Sequence, residues 1–165
     1  MTILVSAASR HGATTEIAGA IATHLRSAGH DVDIREPAAV RDLDGVDAVV
    51  LGSAVYAGHW LKPARELVSR LGPQLADRPV WLFSSGPVGD PPTPAEDAVD
   101  AAGALATTGA LEHRIFAGLV DNTQLSFAER AMVRAFHAAV GDFRDWGQVT
   151  QWARDIAAHL SAARP

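Results

Sequence analysis

The 165-residue chain contains no cysteine. Disulfides, thiolate metal sites, cysteine-ligated iron–sulfur clusters and cysteine nucleophiles are therefore excluded, and any redox function needs a bound cofactor. No apolar run reaches the ~18 residues that a bilayer span requires, and the opening Met1-Thr2-Ile3-Leu4-Val5 is too short for a signal peptide, so the expected location is cytoplasmic. A dense Lys/Arg run is also missing, and the formal net charge is -5. Nucleic-acid phosphates are neutralised by a basic stripe, so no nucleic-acid partner is expected. Proline clusters only at Pro91-Pro92-Thr93-Pro94, which reads as an irregular loop between a strand and a helix. What is present is an ordinary globular balance, 48% hydrophobic and 20% charged, in a length that suits one domain over residues 1–165.

The apolar runs 3–7, 48–51, 80–83 and 115–120 do not alternate with polar residues and read as strands buried on both faces, hence as a parallel sheet. Residues 31–36, with Val32 and Ile34 alternating, form the remaining strand. Between strands, Ile17, Ile21 and Leu25 share one helical face, and Gly29 supplies a stop. Ser126-Phe127-Ala128-Glu129 fits a capping box, which predicts a helix over 126–140 with Met132, Phe136 and Val140 as its apolar stripe. Asp145, with Gln148 three residues on, starts a last helix that buries Val149, Trp152, Ile156 and Leu160. Five strands alternating with helices give a doubly wound α/β fold, a parallel sheet between two helical layers, with one extra helix before the C-terminal one.

In such a sheet, ligands bind beyond the carboxyl ends of the strands where strand order reverses. The first loop, Ser9-Arg10-His11-Gly12-Ala13-Thr14-Thr15, runs straight into a helix. Backbone N–H groups at that helix start, together with the hydroxyls of Ser9, Thr14 and Thr15, suit a dianionic phosphate, and Arg10 would add positive charge. The alternative is an ordinary capped turn. The spacing matches neither GxGxxG nor GxxxxGK[ST], which leaves a monophosphate. The second loop, residues 52–60, offers small residues for close approach to a ring, with Tyr56 and Trp60 for stacking; the alternative packs both aromatics beneath the loop. The third, residues 84–90, combines Gly and Pro and would form the opposite wall. Seven histidines are present, but none pairs at ligand spacing beside a third ligand, so no metal is expected.

Together these segments resemble the flavodoxin-like family. VSAASRHGATTEIAGAIATHLRSAGHDVDI is similar to its first strand, phosphate loop, first helix and second strand; VVLGSAVYAGHWLKPA and WLFSSGPVGD are similar to its two ring-binding segments. The helix near 126–140 followed by GDFRDW and WARDIAAHL resembles the branch of flavodoxin-type protoporphyrinogen dehydrogenases. The resemblance implies that Ser9, Arg10, His11, Gly12, Ala13 and Thr14 bind the phosphate of flavin mononucleotide (FMN). It also implies that Ser53, Ala54, Val55, Tyr56, Ala57 and Gly58, with Trp60, and Ser84, Ser85, Gly86, Pro87, Val88 and Gly89 hold the isoalloxazine. Electron-carrier flavodoxins place an aromatic in the second ring-binding loop, and residues 84–89 contain none. One ring face is then open to a second cofactor or to a small-molecule or quinone substrate, which favours a flavin-dependent oxidoreductase over a simple carrier, for instance one directed at protoporphyrinogen with a quinone acceptor.

The ring performs the chemistry in such an enzyme, so no catalytic side chain is required, and Tyr56, His59 and Trp60 are candidates for tuning it. Three alternatives stand beside this reading: an electron carrier that docks on a redox partner protein, a protein that binds a deazaflavin in place of FMN, and the same fold without a cofactor. The extra helix is expected to pack on the core. In a second reading it makes peripheral membrane contact or borders a quinone channel, because Arg130 and Arg134 lie beside Phe127, Val133 and Phe136.

Overall fold

Strand β1 (Thr2–Ala8) is buried over all but its first residue and lies in the middle of the molecule. In the computed structural model, which describes residues 1–86, 99–120, 123, 125–135 and 141–163, it is followed by α1 (Ala13–Ser27), β2 (Asp31–Ile34) and a 3-10 turn (Pro37–Ala39). The chain continues through β3 (Ala48–Tyr56), β4 (His59–Trp60), α2 (Lys62–Ala76), β5 (Val80–Gly86), α3 (Val99–Thr108) and β6 (Glu112–Ala117). It closes with β7 (Leu119–Val120), α4 (Phe127–Ala135), β8 (Gly141–Asp142) and α5 (Trp146–Ala162). The main sheet has the order β2-β1-β3-β5-β6 with all these pairs parallel, and β4 folds back antiparallel on β3. Two buried clusters cover its faces. Ile17, Ile21 and Leu25 of α1 and Val149, Trp152, Ile156 and Leu160 of α5 pack on Ile3, Val5, Val50 and Phe83. Leu67, Leu71 and Leu75 of α2 and Ala104 of α3 pack on Leu4, Leu51 and Leu82.

The local signals act as their chemistry dictates. Gly29 has φ 87, and the N–H groups of Gly29 and His30 donate to the carbonyls of Arg26 and Leu25, a Schellman closure of α1. Asp145 caps α5 by accepting from the Gln148 N–H at 3.1 Å. Strand boundaries differ in places from the pattern-based expectation. β3 runs on to Tyr56, because its pairing with β4 continues the ladder. The run 115–120 divides into the end of β6 and a separate β7, which pairs with β8 and not with the main sheet. The extra helix is described over Phe127–Ala135; Phe136, Val140 and the side chains of Met132 and Val133 lie outside the described residues, as do Pro91-Pro92-Thr93-Pro94.

The β7–β8 ribbon closes the base of the excursion that carries α4, through Leu119 opposite Asp142 and Val120 opposite Gly141. Just beyond it, the Arg144 side chain, 7% exposed, bonds Asp142 at 2.8 Å, pairs with Glu16 of α1 and lies 4.8 Å from the centre of the Trp146 ring. Those contacts raise the Arg144 pKa and hold the Asp142 carboxyl below its ordinary range. Among the described residues, no helix is long and apolar enough to cross a membrane.

Packing is tightest where β3 passes β5. A Cβ on Gly52 would sit 2.1 Å from Phe83 Cζ, and the Phe83 ring is itself held by Phe116 and Trp152 at centroid distances of 5.9 and 6.0 Å. The ring that Gly52 admits is therefore a core side chain, not a ligand. Gly52→Ala is expected to cost about 3 kcal/mol, the upper range for overpacking, and to lower Tm by roughly 10 °C in a thermal melt.

Candidate functional site

Leaving β1, the chain crosses to β2 on one side, whereas β3 lies on the other, so strand order reverses between β1 and β3 and a crevice opens above their carboxyl ends. Into it runs the loop that begins α1. Gly12 takes φ 91 as the cap residue, a left-handed conformation that side chains rarely adopt, and nothing lies within 4 Å of where its Cβ would be. Its N–H donates to Ser9 Oγ at 3.0 Å, and its carbonyl accepts the Glu16 N–H at 3.0 Å. The amides of the first helical turn, from Ala13 onward, have no partner within the helix and point their dipoles toward this open space. Thr14 is buried against the loop at 2% exposure. Ser9, Arg10, His11, Gly12, Ala13 and Thr14 are thus gathered at one helix start.

The second loop is a tight hairpin. Val55 pairs with Trp60 and Tyr56 with His59, across Ala57 at φ 49 and Gly58 at φ 78. Positive φ at both central residues is the mark of a type I′ turn, and Ala57 bears a strain on the order of 1 kcal/mol for it. Ser53 fastens the base, donating to the Ala54 carbonyl at 2.8 Å and accepting the Leu61 N–H at 2.9 Å. Asp100 at the start of α3 fastens the other strand, accepting the Trp60 N–H at 2.9 Å with His59 Nδ1 at 3.1 Å.

Trp60 differs from the stacking role its position suggested. Only 2% exposed, it packs in the core under the hairpin, and its indole N–H donates to Ser84 Oγ at 2.8 Å. Ser84 also bonds His113 Nε2 at 2.7 Å. The side chains of Ser53, Ser84 and Ser85 are likewise turned into the protein. What the crevice presents from these segments is Ala54, Val55, Tyr56, Ala57, Gly58 and Gly86, where a Cβ added to Gly86 would lie 3.8 Å from Val55 Cβ. Pro87, Val88 and Gly89 lie outside the described residues. Among the described residues, no group of three or more His, Cys, Asp or Glu is placed to hold a metal.

One residue joins the site that sequence pattern assigned only to helix capping. Glu129 Oε2 accepts the Ser126 N–H at 2.8 Å and its own N–H donates to Ser126 Oγ at 3.3 Å, completing the capping box. The other oxygen reaches the first loop, 2.7 Å from Arg10 Nε and 3.1 Å from His11 Nε2. The Arg10 guanidinium in turn lies 5.3 Å from the centre of the Tyr56 ring. The charge of Arg10 is therefore matched by a carboxylate before any ligand arrives, whereas the sequence had suggested it was free for a phosphate. Asp100 was missed for a similar reason: its partners lie 40 and 41 positions away.

Electrostatics follow from these contacts. Hydrogen bonding from the Ser126 backbone, foremost, and from Ser126 Oγ and His11, with the Arg10 charge, lowers the Glu129 pKa from 4.5 to about 2 against the opposing effect of burial. Tyr56 is pushed up, first by burial and then by Glu129, with Arg10 opposing. Because the folded Glu129 binds its proton more weakly than the unfolded one, its stabilisation is complete above about pH 4.5 and is lost as pH falls toward 2. Urea midpoints of wild type and Glu129→Gln are expected to differ most at neutral pH and to converge as pH falls to about 2; a gap of equal size at both would contradict the pairing.

The sheet order, the helices on both faces and the crevice over β1 and β3 define an α/β protein of the flavodoxin kind, and the flavodoxin-domain family model matches residues 4–145. The chain belongs to that family. It is 24% identical over 176 residues to the protoporphyrinogen IX dehydrogenase [quinone] of Escherichia coli K12, with 98% of this chain and 97% of that protein covered. Among solved structures, it resembles a flavodoxin from the domain Archaea with a TM-score of 0.68 and 18% identity, covering 98% of this chain and 99% of that one. It also resembles the rubredoxin oxygen:oxidoreductase of Desulfovibrio gigas with a TM-score of 0.65 and 17% identity, covering 98% of this chain but 36% of that one.

Proposed function

We propose that this protein binds FMN in the crevice above β1, β3 and β5 and works as a flavin-dependent oxidoreductase on a small-molecule or quinone substrate. The observation that carries the reading is Gly12, left-handed at the head of α1 with open space where a Cβ would lie. A phosphate fits that cradle, since the first-turn amides and the hydroxyls of Ser9 and Thr14 offer donors and the helix dipole favours an anion. Tyr56 and the backbone of residues 54–58, with Gly86 opposite, would flank the ring. When bound, the flavin supplies hydride or electron transfer. The chain's own part is to bind and orient it: Ser53 and Asp100 hold the hairpin in register, and Trp60, bonded to Ser84, supports it from below.

Family membership and the likeness to the Escherichia coli dehydrogenase support protoporphyrinogen oxidation with a quinone acceptor as the specific activity. A further observation favours peripheral contact with an anionic membrane, where quinones reside. Phe127 is 89% exposed, and Arg130 and Arg134 are exposed on the same side of α4. Phe127→Ser is expected to reduce co-sedimentation with anionic liposomes several-fold; equal sedimentation would remove that contact.

The cofactor is identified by the absorbance spectrum of the purified protein and the mass of whatever is released on denaturation. FMN is expected, a deazaflavin would replace it in the same crevice, and tight binding of neither would refute the proposal. Ser9→Ala combined with Thr14→Ala is expected to weaken FMN binding roughly tenfold or more in a fluorescence titration, with the fold retained by circular dichroism. Direct quinone turnover by the isolated protein separates an enzyme from a carrier, which would need a protein partner.

A further inference from the structure

We propose that Glu129 is a built-in acceptor for the donors of the first loop, so that docking of α4 and binding of a phosphate at that loop oppose one another. The inference rests on the phosphate-site reading above. Other donors of the same loop are already engaged from within the chain. The Gly12 N–H is taken by Ser9 Oγ at 3.0 Å, and Arg10 Nε and His11 Nε2 both meet Glu129 Oε1, at 2.7 and 3.1 Å. One oxygen of a single carboxylate thus occupies the two cationic or protonatable groups of the loop, while the other stays with the Ser126 N–H.

That contact is also what seats the helix. Among the described side chains of α4, Glu129 is the buried one, whereas Phe127, Ala128, Arg130, Ala131 and Arg134 face outward. Below the helix, Leu119 pairs with Asp142, Val120 with Gly141, and the Phe143 N–H donates to the Gly118 carbonyl, so the base of the excursion is fastened apart from the Glu129 contact. A dianion that draws Arg10 and His11 toward the head of α1 leaves Glu129 Oε1 buried without those two partners and facing like charge, while Oε2 keeps the Ser126 N–H. A buried carboxylate in that position is strongly disfavoured. α4 then loosens until Glu129 is hydrated. Linkage makes the effect reciprocal: whatever loosens α4 strengthens anion binding by the same factor.

Glu129→Gln tests this with the fold kept, because Ser-x-x-Gln also forms a capping box. Hydrogen exchange of residues 127–135 would be followed in the full chain with inorganic phosphate, FMN or riboflavin, and the affinities of FMN and riboflavin measured for both proteins. In wild type, phosphate and FMN are expected to accelerate exchange in α4, and riboflavin, which lacks the phosphate, is expected not to. Glu129→Gln is expected to start from the accelerated level, to bind FMN about tenfold more tightly and to bind riboflavin within about twofold of wild type. Unchanged or slower α4 exchange with FMN bound would overturn the inference, as would unchanged or weaker FMN binding by the variant. FMN failing to bind while phosphate still accelerates exchange would refute the flavin reading alone. Binding of neither would overturn both.

Discussion

Parallel strands cannot be joined by tight turns, so each connection must cross a face of the sheet, and both faces end up covered. That constraint organises the whole molecule. It sends α1 and α5 to one face and α2 and α3 to the other, and it makes the chain reverse direction across the sheet between β1 and β3. At that reversal the connections diverge, and the space above the strand ends is left to loops. The start of α1 therefore lies among loops at the strand ends, with its unpaired first-turn amides directed there.

The hairpin between β3 and β4 shows how a site of loops is made rigid by what lies beneath it. Ala57 holds a strained left-handed conformation because both ends of the hairpin are fixed, by Ser53 on one strand and Asp100 on the other. Trp60 anchors in the core through Ser84, so the turn residues are presented outward while the aromatic that precedes α2 points in. Strain of this sort persists where surrounding contacts over-determine the backbone.

Charge is handled in pairs at the rim. Arg144 ties the end of the excursion to α1 through Glu16 and Asp142, and Glu129 ties α4 to Arg10 and His11. The two ties lie on either side of the same excursion. They hold a polar helix against the strand-end loops through charge pairs. They also make the electrostatics of the first loop a property of two chain segments, not one.

Much of this was legible in the residues. Unbroken apolar runs announced strands buried on both faces, because alternation with polar residues is lost when neither face meets water. Ile17, Ile21 and Leu25, Gly29, Ser126 with Glu129 and Asp145 announced helices and their ends, because capping and helical periodicity are local. Ser9 to Thr14 could be grouped for the same reason, since all lie within one loop. The direction of Trp60, the partner of Arg10, the hold of Asp100 on the hairpin and the split of 115–120 into two strands were not legible. Each depends on which distant segment arrives opposite: Ser84 for Trp60, Glu129 for Arg10, Trp60 for Asp100 and β8 for β7. By itself the sequence determined the elements, their caps and which residues share the loop at the head of the first helix, since those follow from neighbours along the chain. Only the tertiary structure decided which charges were already paired and which aromatics were buried, since those follow from contacts across tens of residues that no local pattern encodes.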